Sequence, residues 1–197
     1  MEADLTSEIH ERVINLFESV QPLDESLKND IKNWSEVIYV KKKEKLVKQG
    51  DTSKYIYFIY KGSIRSYYVN NEGQENISWL LFENELAIAV YSFFSQKPSF
   101  ETLETLEDSI LLRLSFDKLN QLYLTYPTFN YIGRLLTETY YIRSEEKANA
   151  LRMMTAKERY NNLLTQYPKI IQRVSLGYIA SYLGITQHTL SRIRSQR

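Results

Sequence analysis

The sequence predicts an α+β protein. An antiparallel β-roll of the jelly-roll (double-stranded β-helix) kind, flanked by helices, is followed by a long helix and a C-terminal helix-turn-helix. Three observations carry this. Apolar residues recur at helical spacing at both ends of the chain and give way to short β-rich runs between about 36 and 115. Turn signals punctuate those runs, at Gly50-Asp51, Lys61-Gly62 and Asn70 to Gly73. Two short amphipathic patterns then meet at Gly184.

The N-terminal helix rests on Leu5, Ile9, Val13, Leu16, Phe17 and Val20. Pro22 breaks it, and the pattern resumes from Leu23 to Trp34. Strands are expected at Val37 to Val40, Leu46-Val47, Tyr55 to Tyr60, Ile64 to Val69 and Ile77 to Phe82. A further pair flanks the turn after Pro98, at Phe100 to Leu106 and Ser109 to Leu114. Many of the 16 tyrosines fall in these runs, where they suit half-buried sheet surfaces. Helical spacing returns near Phe116 with Leu119, Leu122 and Tyr123. After Pro127 a long helix runs from about Phe129 to Arg152, its apolar positions (Ile132, Leu135, Leu136, Tyr140) thinning toward Ser144 to Lys147. Thr155 and Glu158 fit a capping box that opens a helix carrying Tyr160, Leu163, Leu164 and Tyr167, stopped before Pro168. The expected domains are 1–127, 128–152 and 153–197, with a hinge at Met153 to Thr155.

Composition excludes several function classes. The 197 residues, 43% hydrophobic, can bury a core. There is no Cys, so disulfides, thiolate zinc sites and Cys-ligated iron–sulfur clusters are out. The only two His, His10 and His188, are too few and too far apart for a His-rich metal centre or a convincing haem site; no metal site is expected. A metal enzyme on a cupin-like roll would need His within residues 36–115, where none occurs, and no nucleophile motif or phosphate loop appears, so no enzymatic activity is expected. No apolar run reaches membrane-spanning length and no signal pattern opens the chain, which points to a soluble cytoplasmic protein without a membrane partner.

The charge is unevenly placed. Residues 159–197 hold six Lys/Arg and no Asp or Glu, while the rest holds 19 basic and 24 acidic residues. Within this basic segment Ser175 can cap one helix and Thr186 the next. Ile179, Leu183, Ile185, Leu190 and Ile193 would lock the pair, with the small Ala180 where the helices approach. The second helix then presents Gln187, His188, Ser191, Arg192 and Arg194 outward, with Thr189 beside them. In a major groove Gln reads adenine, Arg reads guanine, and short hydroxyls such as those of Ser175, Thr186 and Thr189 contact phosphates. Arg192, one turn in, is the leading base contact; His188 reads equally as a surface position, and Arg197 as a phosphate contact or a disordered end. The competing reading is a helical hairpin packed on its own domain with a solvated basic face.

A helix, a β-roll with Gly turns, a long helix and a C-terminal helix-turn-helix resemble the Crp/Fnr family of bacterial transcription regulators over essentially the whole chain. The carriers are Val47 to Asp51, Tyr57 to Gly62, Asn71 to Gly73, Leu106 to Ser109 and Ile179 to Thr186. The resemblance implies a homodimer joined along residues 128–152, two recognition helices set for a palindromic double-stranded DNA site, and RNA polymerase as a candidate partner. The apolar stripe alone leaves a second option, since Glu145 to Lys147 interrupt it: a helix lying on its own roll. A β-hairpin wing, frequent in the family, has little room between Pro168 and Ser175.

Cyclic-nucleotide-binding relatives hold the ribose with a Gly-Glu-Leu turn and the phosphate with an Arg. The corresponding positions here fall near Ala89 and Ser99, and between residues 66 and 112 Lys97 is the one basic residue against eight acidic ones. A buried phosphate without a cation is costly, so cyclic AMP is not the expected effector and no cofactor is expected. Tyr91, Phe93, Phe94 and Phe100 either line an apolar cavity for an unknown uncharged or weakly acidic effector or simply fill the roll. The leading function is a dimeric DNA-binding regulator with a degenerate effector pocket; the alternative is a small-molecule sensor or regulatory protein with weak or no DNA binding.

Overall fold

A computed structural model describes residues 2–195, so the expectation for Arg197 lies outside the described residues. Helices α1 (Glu2–Glu18) and α2 (Glu25–Trp34) lead into eight strands: β1 (Ser35–Val40), β2 (Lys45–Val47), β3 (Tyr55–Lys61), β4 (Ile64–Val69), β5 (Glu75–Leu81), β6 (Leu86–Ala87), β7 (Thr102–Thr105) and β8 (Ser109–Ser115). A short helix α3 (Val90–Ser95) sits between β6 and β7. The strands form two antiparallel four-stranded sheets, ordered β1-β8-β3-β6 and β2-β7-β4-β5.

Strand alternation sorts the core. Val47, Ile59, Ile64, Leu81, Leu103 and Leu111 meet between the sheets. On the outer face of the first sheet, Phe58 and Leu112 pack against Ile9 and Val13 of α1. On β4 the outward residues are Arg65 and Tyr67, both buried beneath the C-terminal segment. The β4–β5 register slips between Ser66 and Tyr67, which leaves Ser78 as an extra residue on β5. Such a bulge frees a backbone carbonyl.

Beyond the roll come α4 (Phe116–Thr125) and the 27-residue α5 (Pro127–Met153), whose first position is Pro, as its fixed φ favours. Phe129, Ile132 and Gly133 bury the start of α5 against Leu27, Ile31 and Leu122. A Cβ on Gly133 would lie 2.8 Å from Cζ of Tyr123, so glycine permits the α4–α5 contact. The chain ends in α6 (Ala156–Gln166), α7 (Ile170–Arg173), α8 (Leu176–Tyr182) and α9 (Gln187–Ser195). Thr155 and Glu158 form the expected capping box. Residues between Pro168 and Ser175 make the single turn α7 rather than a hairpin.

Candidate nucleic-acid interface

Helices α8 and α9 are set by local chemistry. Ser175 Oγ accepts the amide of Tyr178 and Thr186 Oγ1 accepts that of Thr189, satisfying free donors at each start. Gly184 (φ +66) ends α8: Ile185 N–H reaches Ala180 O and Gly184 N–H reaches Ser181 O, both at 3.0 Å. That is a Schellman closure, which needs a left-handed residue at its turn. Ile179, Ala180, Leu183, Leu190 and Ile193 are all buried and Ile185 is half-buried.

The outward side of α9 carries Gln187, His188, Ser191, Arg192 and Arg194, all exposed, with Thr189 half-buried between them. Ser175 and Thr186 are exposed beside it. A Cβ on Gly177 would lie 3.7 Å from Gln187 Oε1, so this amide lies over the first turn of α8. No Asp or Glu occurs between 159 and 195 to neutralise the surface.

The opposite side of the module docks on the roll. Tyr160, Leu163, Ile170, Val174 and Ile179 pack with Tyr67, Ile77, Leu80 and Phe82. Strand β5 is an edge, and Ser181 of α8 covers it: its Oγ accepts Ile77 N–H at 3.0 Å and donates to Glu75 O at 3.4 Å. Three arginines reinforce the seam. Arg173 binds Glu83, Glu107 and the Gly62 carbonyl. Burial alone would raise the Glu83 carboxyl, but Arg173 and the Gly62 amide hold it below its usual range. Arg65 pairs with Glu75 and Glu104 while its guanidinium lies 4.0 Å from the Tyr67 ring and 4.2 Å from that of Tyr178. Arg143 of α5 pairs with Glu85, which also accepts the Tyr167 hydroxyl.

Lys147 of α5 turns inward beneath these contacts. Its ammonium donates to the Ser78 carbonyl freed by the bulge and lies 4.2 Å from the Tyr182 ring and 5.1 Å from the Trp79 ring. Burial lowers its pKa to about 8. Sequence reasoning named Tyr160, Leu163 and Ile179 as apolar helix positions but missed the roles of Arg65, Arg143, Lys147, Arg173 and Ser181, because their partners are distant in the chain.

The expected effector residues are scattered. Ala89 and Phe93 are fully buried, and Ser99 is buried with its hydroxyl on the Glu101 carbonyl. Tyr91 and Phe100 are exposed and stack on each other, centroids 4.5 Å apart, because residues 90–95 form helix α3 and β7 starts only at Thr102. Of the six, Phe94 lines a cavity of about 400 Å³. The nucleotide-clamp positions hold no cation, and two residues after Ser99 stands the half-buried carboxylate of Glu101, whose Oε2 accepts hydrogen bonds from Ser66 and Ser78. Those residues do not fit a cyclic phosphate. Among the described residues no group of His and carboxylates could hold a metal, and no helix is long and apolar enough to cross a membrane.

Comparison with known proteins places these features. Residues 37–126 match the cyclic nucleotide-binding domain. An anaerobic regulatory protein of Haemophilus influenzae is 30% identical over 167 residues, which covers 78% of this chain and 63% of that protein. The chain thus spans less than two thirds of that relative's length. FixK2 of Bradyrhizobium japonicum shares the fold with a TM-score of 0.71 at 20% identity, over 82% of this chain and 83% of that one. The c-di-GMP-responsive global regulator CLP of Xanthomonas campestris does so with a TM-score of 0.70 at 17% identity, over 88% and 91%.

Proposed function

We propose, on the premise that this chain belongs to the Crp/Fnr family, that it is a dimeric, sequence-specific DNA-binding transcriptional regulator and not an enzyme. The observation that carries the reading is the split of α9: Leu190 and Ile193 anchor one side, while Gln187, Arg192 and Arg194 stand exposed on the other in a segment free of carboxylates. A helix presented in this way fits a major groove, where amide and guanidinium groups read base edges. One short recognition helix spans too few base pairs for useful specificity, so two copies on a palindrome suit the motif. The outward side of α5, with Tyr131 and Ile142 exposed, supports a seam between the copies.

Neither cyclic AMP nor another cyclic phosphate is the effector in this reading, because the clamp positions are Ala89 and Ser99 and the roll interior offers Glu101. Selection of bound sequences from a random DNA pool, at stated salt, tests the function. A palindromic motif is expected, and Arg192→Ala should cost about 1–3 kcal/mol at the selected site and relax one base position. An unstructured pool after selection, or unchanged specificity in the variant, would overturn the assignment.

A further inference from the structure

A cavity of about 400 Å³ lies between α1, the outer face of the first sheet, α3 and α5, and reaches the interior of the roll. Val13 and Phe17 of α1, Ile56 and Phe58 of β3, Leu112 of β8 and Leu136 of α5 form its apolar walls. Protein interiors leave few voids larger than a water molecule. An engineered cavity of about 150 Å³ holds benzene, so this one has room for about 15 non-hydrogen atoms. Among the lining residues Val90, Phe94 and Tyr141 are 50%, 52% and 67% exposed, so large apolar surface of the cavity meets water.

The lining also holds charge. Glu101 lines the cavity; its Oε2 is taken by Ser66 and Ser78, and no described residue donates to its Oε1. Several other polar groups in the wall are engaged within the chain, while the hydroxyls of Tyr123, Tyr141 and Ser144 also line it. The Tyr140 hydroxyl accepts Leu86 N–H and donates to Leu86 O, and Thr137 Oγ1 donates to Gly133 O. Arg113 is held by two hydrogen bonds to Glu36 and stacks on Tyr55 at 4.5 Å. Glu101 Oε1 is thus an open carboxylate acceptor in a largely apolar wall, with the Lys147 ammonium as its electrostatic neighbour, and it favours a hydroxyl donor over a second anion.

We propose that this cavity binds an uncharged small molecule with a largely hydrocarbon body and a hydroxyl head that donates to Glu101. The inference uses none of the residues assigned to DNA, and its test contains no DNA, so either reading can fail alone. Decan-1-ol and decanoate are titrated into the full chain by calorimetry, with Trp79 fluorescence as a second signal. One decanol should bind per chain, at least about tenfold more tightly than decanoate. Thr137→Trp, which places an indole in the cavity from an accessible helix position, should abolish decanol binding, and Glu101→Gln should erase most of the preference over decanoate. Amide hydrogen exchange on the unmodified chain supplies a readout independent of variants: decanol should slow exchange in α1 and α3. No decanol binding up to its solubility limit, equal affinity for the two probes, full binding by a folded Thr137→Trp chain, or protection confined to other elements would each overturn the proposal.

Discussion

Gly62 shows how much one position can organise. At φ +109 it turns β3 into β4, and a Cβ there would lie 2.9 Å from Ser109 Cα on β8. Its amide goes to Glu83 and its carbonyl to Arg173, so the same residue anchors both the hairpin and the C-terminal module. Gly73 (φ +78) has nothing within 4 Å of its Cβ position and carries backbone strain only. Gly62→Ala should therefore destabilise by about 2–4 kcal/mol, adding a steric clash to the roughly 1 kcal/mol of conformational strain expected for Gly73→Ala. Urea unfolding of the two variants checks this, and equal losses would show that Ser109 yields without cost. The Lys61-Gly62 turn was legible as a turn because glycine signals positive φ locally. Its link to Arg173 was not legible, since nothing local in the sequence encodes a partner 111 residues away.

Among the elements, α5 is where the proposed dimer can be tested. Tyr131, Leu135 and Ile142 lie on one outward stripe of α5, which Glu138, Glu145 and Asn149 interrupt with polar groups. Lys147, part of the interruption seen in the sequence, points instead to the Ser78 carbonyl. Ile142 is 55% exposed in a single chain, so Ile142→Asp should leave the fold intact while shifting a dimer toward monomers in sedimentation and lowering affinity for a palindromic site. A variant that still sediments as a dimer would place the contact elsewhere. The long elements and the capping box at Thr155 could be read from the sequence because period and caps are local. Helix α3 could not: its six residues lack a side-chain cap, and a short apolar run such as Val90 to Phe94 looks the same as a buried strand.

For the whole molecule, the C-terminal module is not a free appendage; α8 serves as the cover of β5 while α9 stays open, so one surface of the helix pair holds the fold and the other is available to a partner. Lys147 sits where roll, long helix and α8 meet, and its lowered pKa makes the stability of this junction depend on pH. Between its folded value of about 8 and the ordinary lysine value of 10.5, the unfolded chain binds a proton that the folded chain does not. Stability therefore rises with pH through that window, by at most about 1.4 kcal/mol per unit from this group. Burial raises the pKa of Tyr57, to about 12, and that of Tyr182. Above about pH 10, where a free tyrosine ionises, the unfolded chain loses these protons first and stability falls again. The gain should thus be read between about pH 8 and 10 by urea unfolding. Lys147→Met keeps the buried stem and removes the charge, so it should flatten the rise. A variant with the same slope as the parent would show that the ammonium is not the group being desolvated.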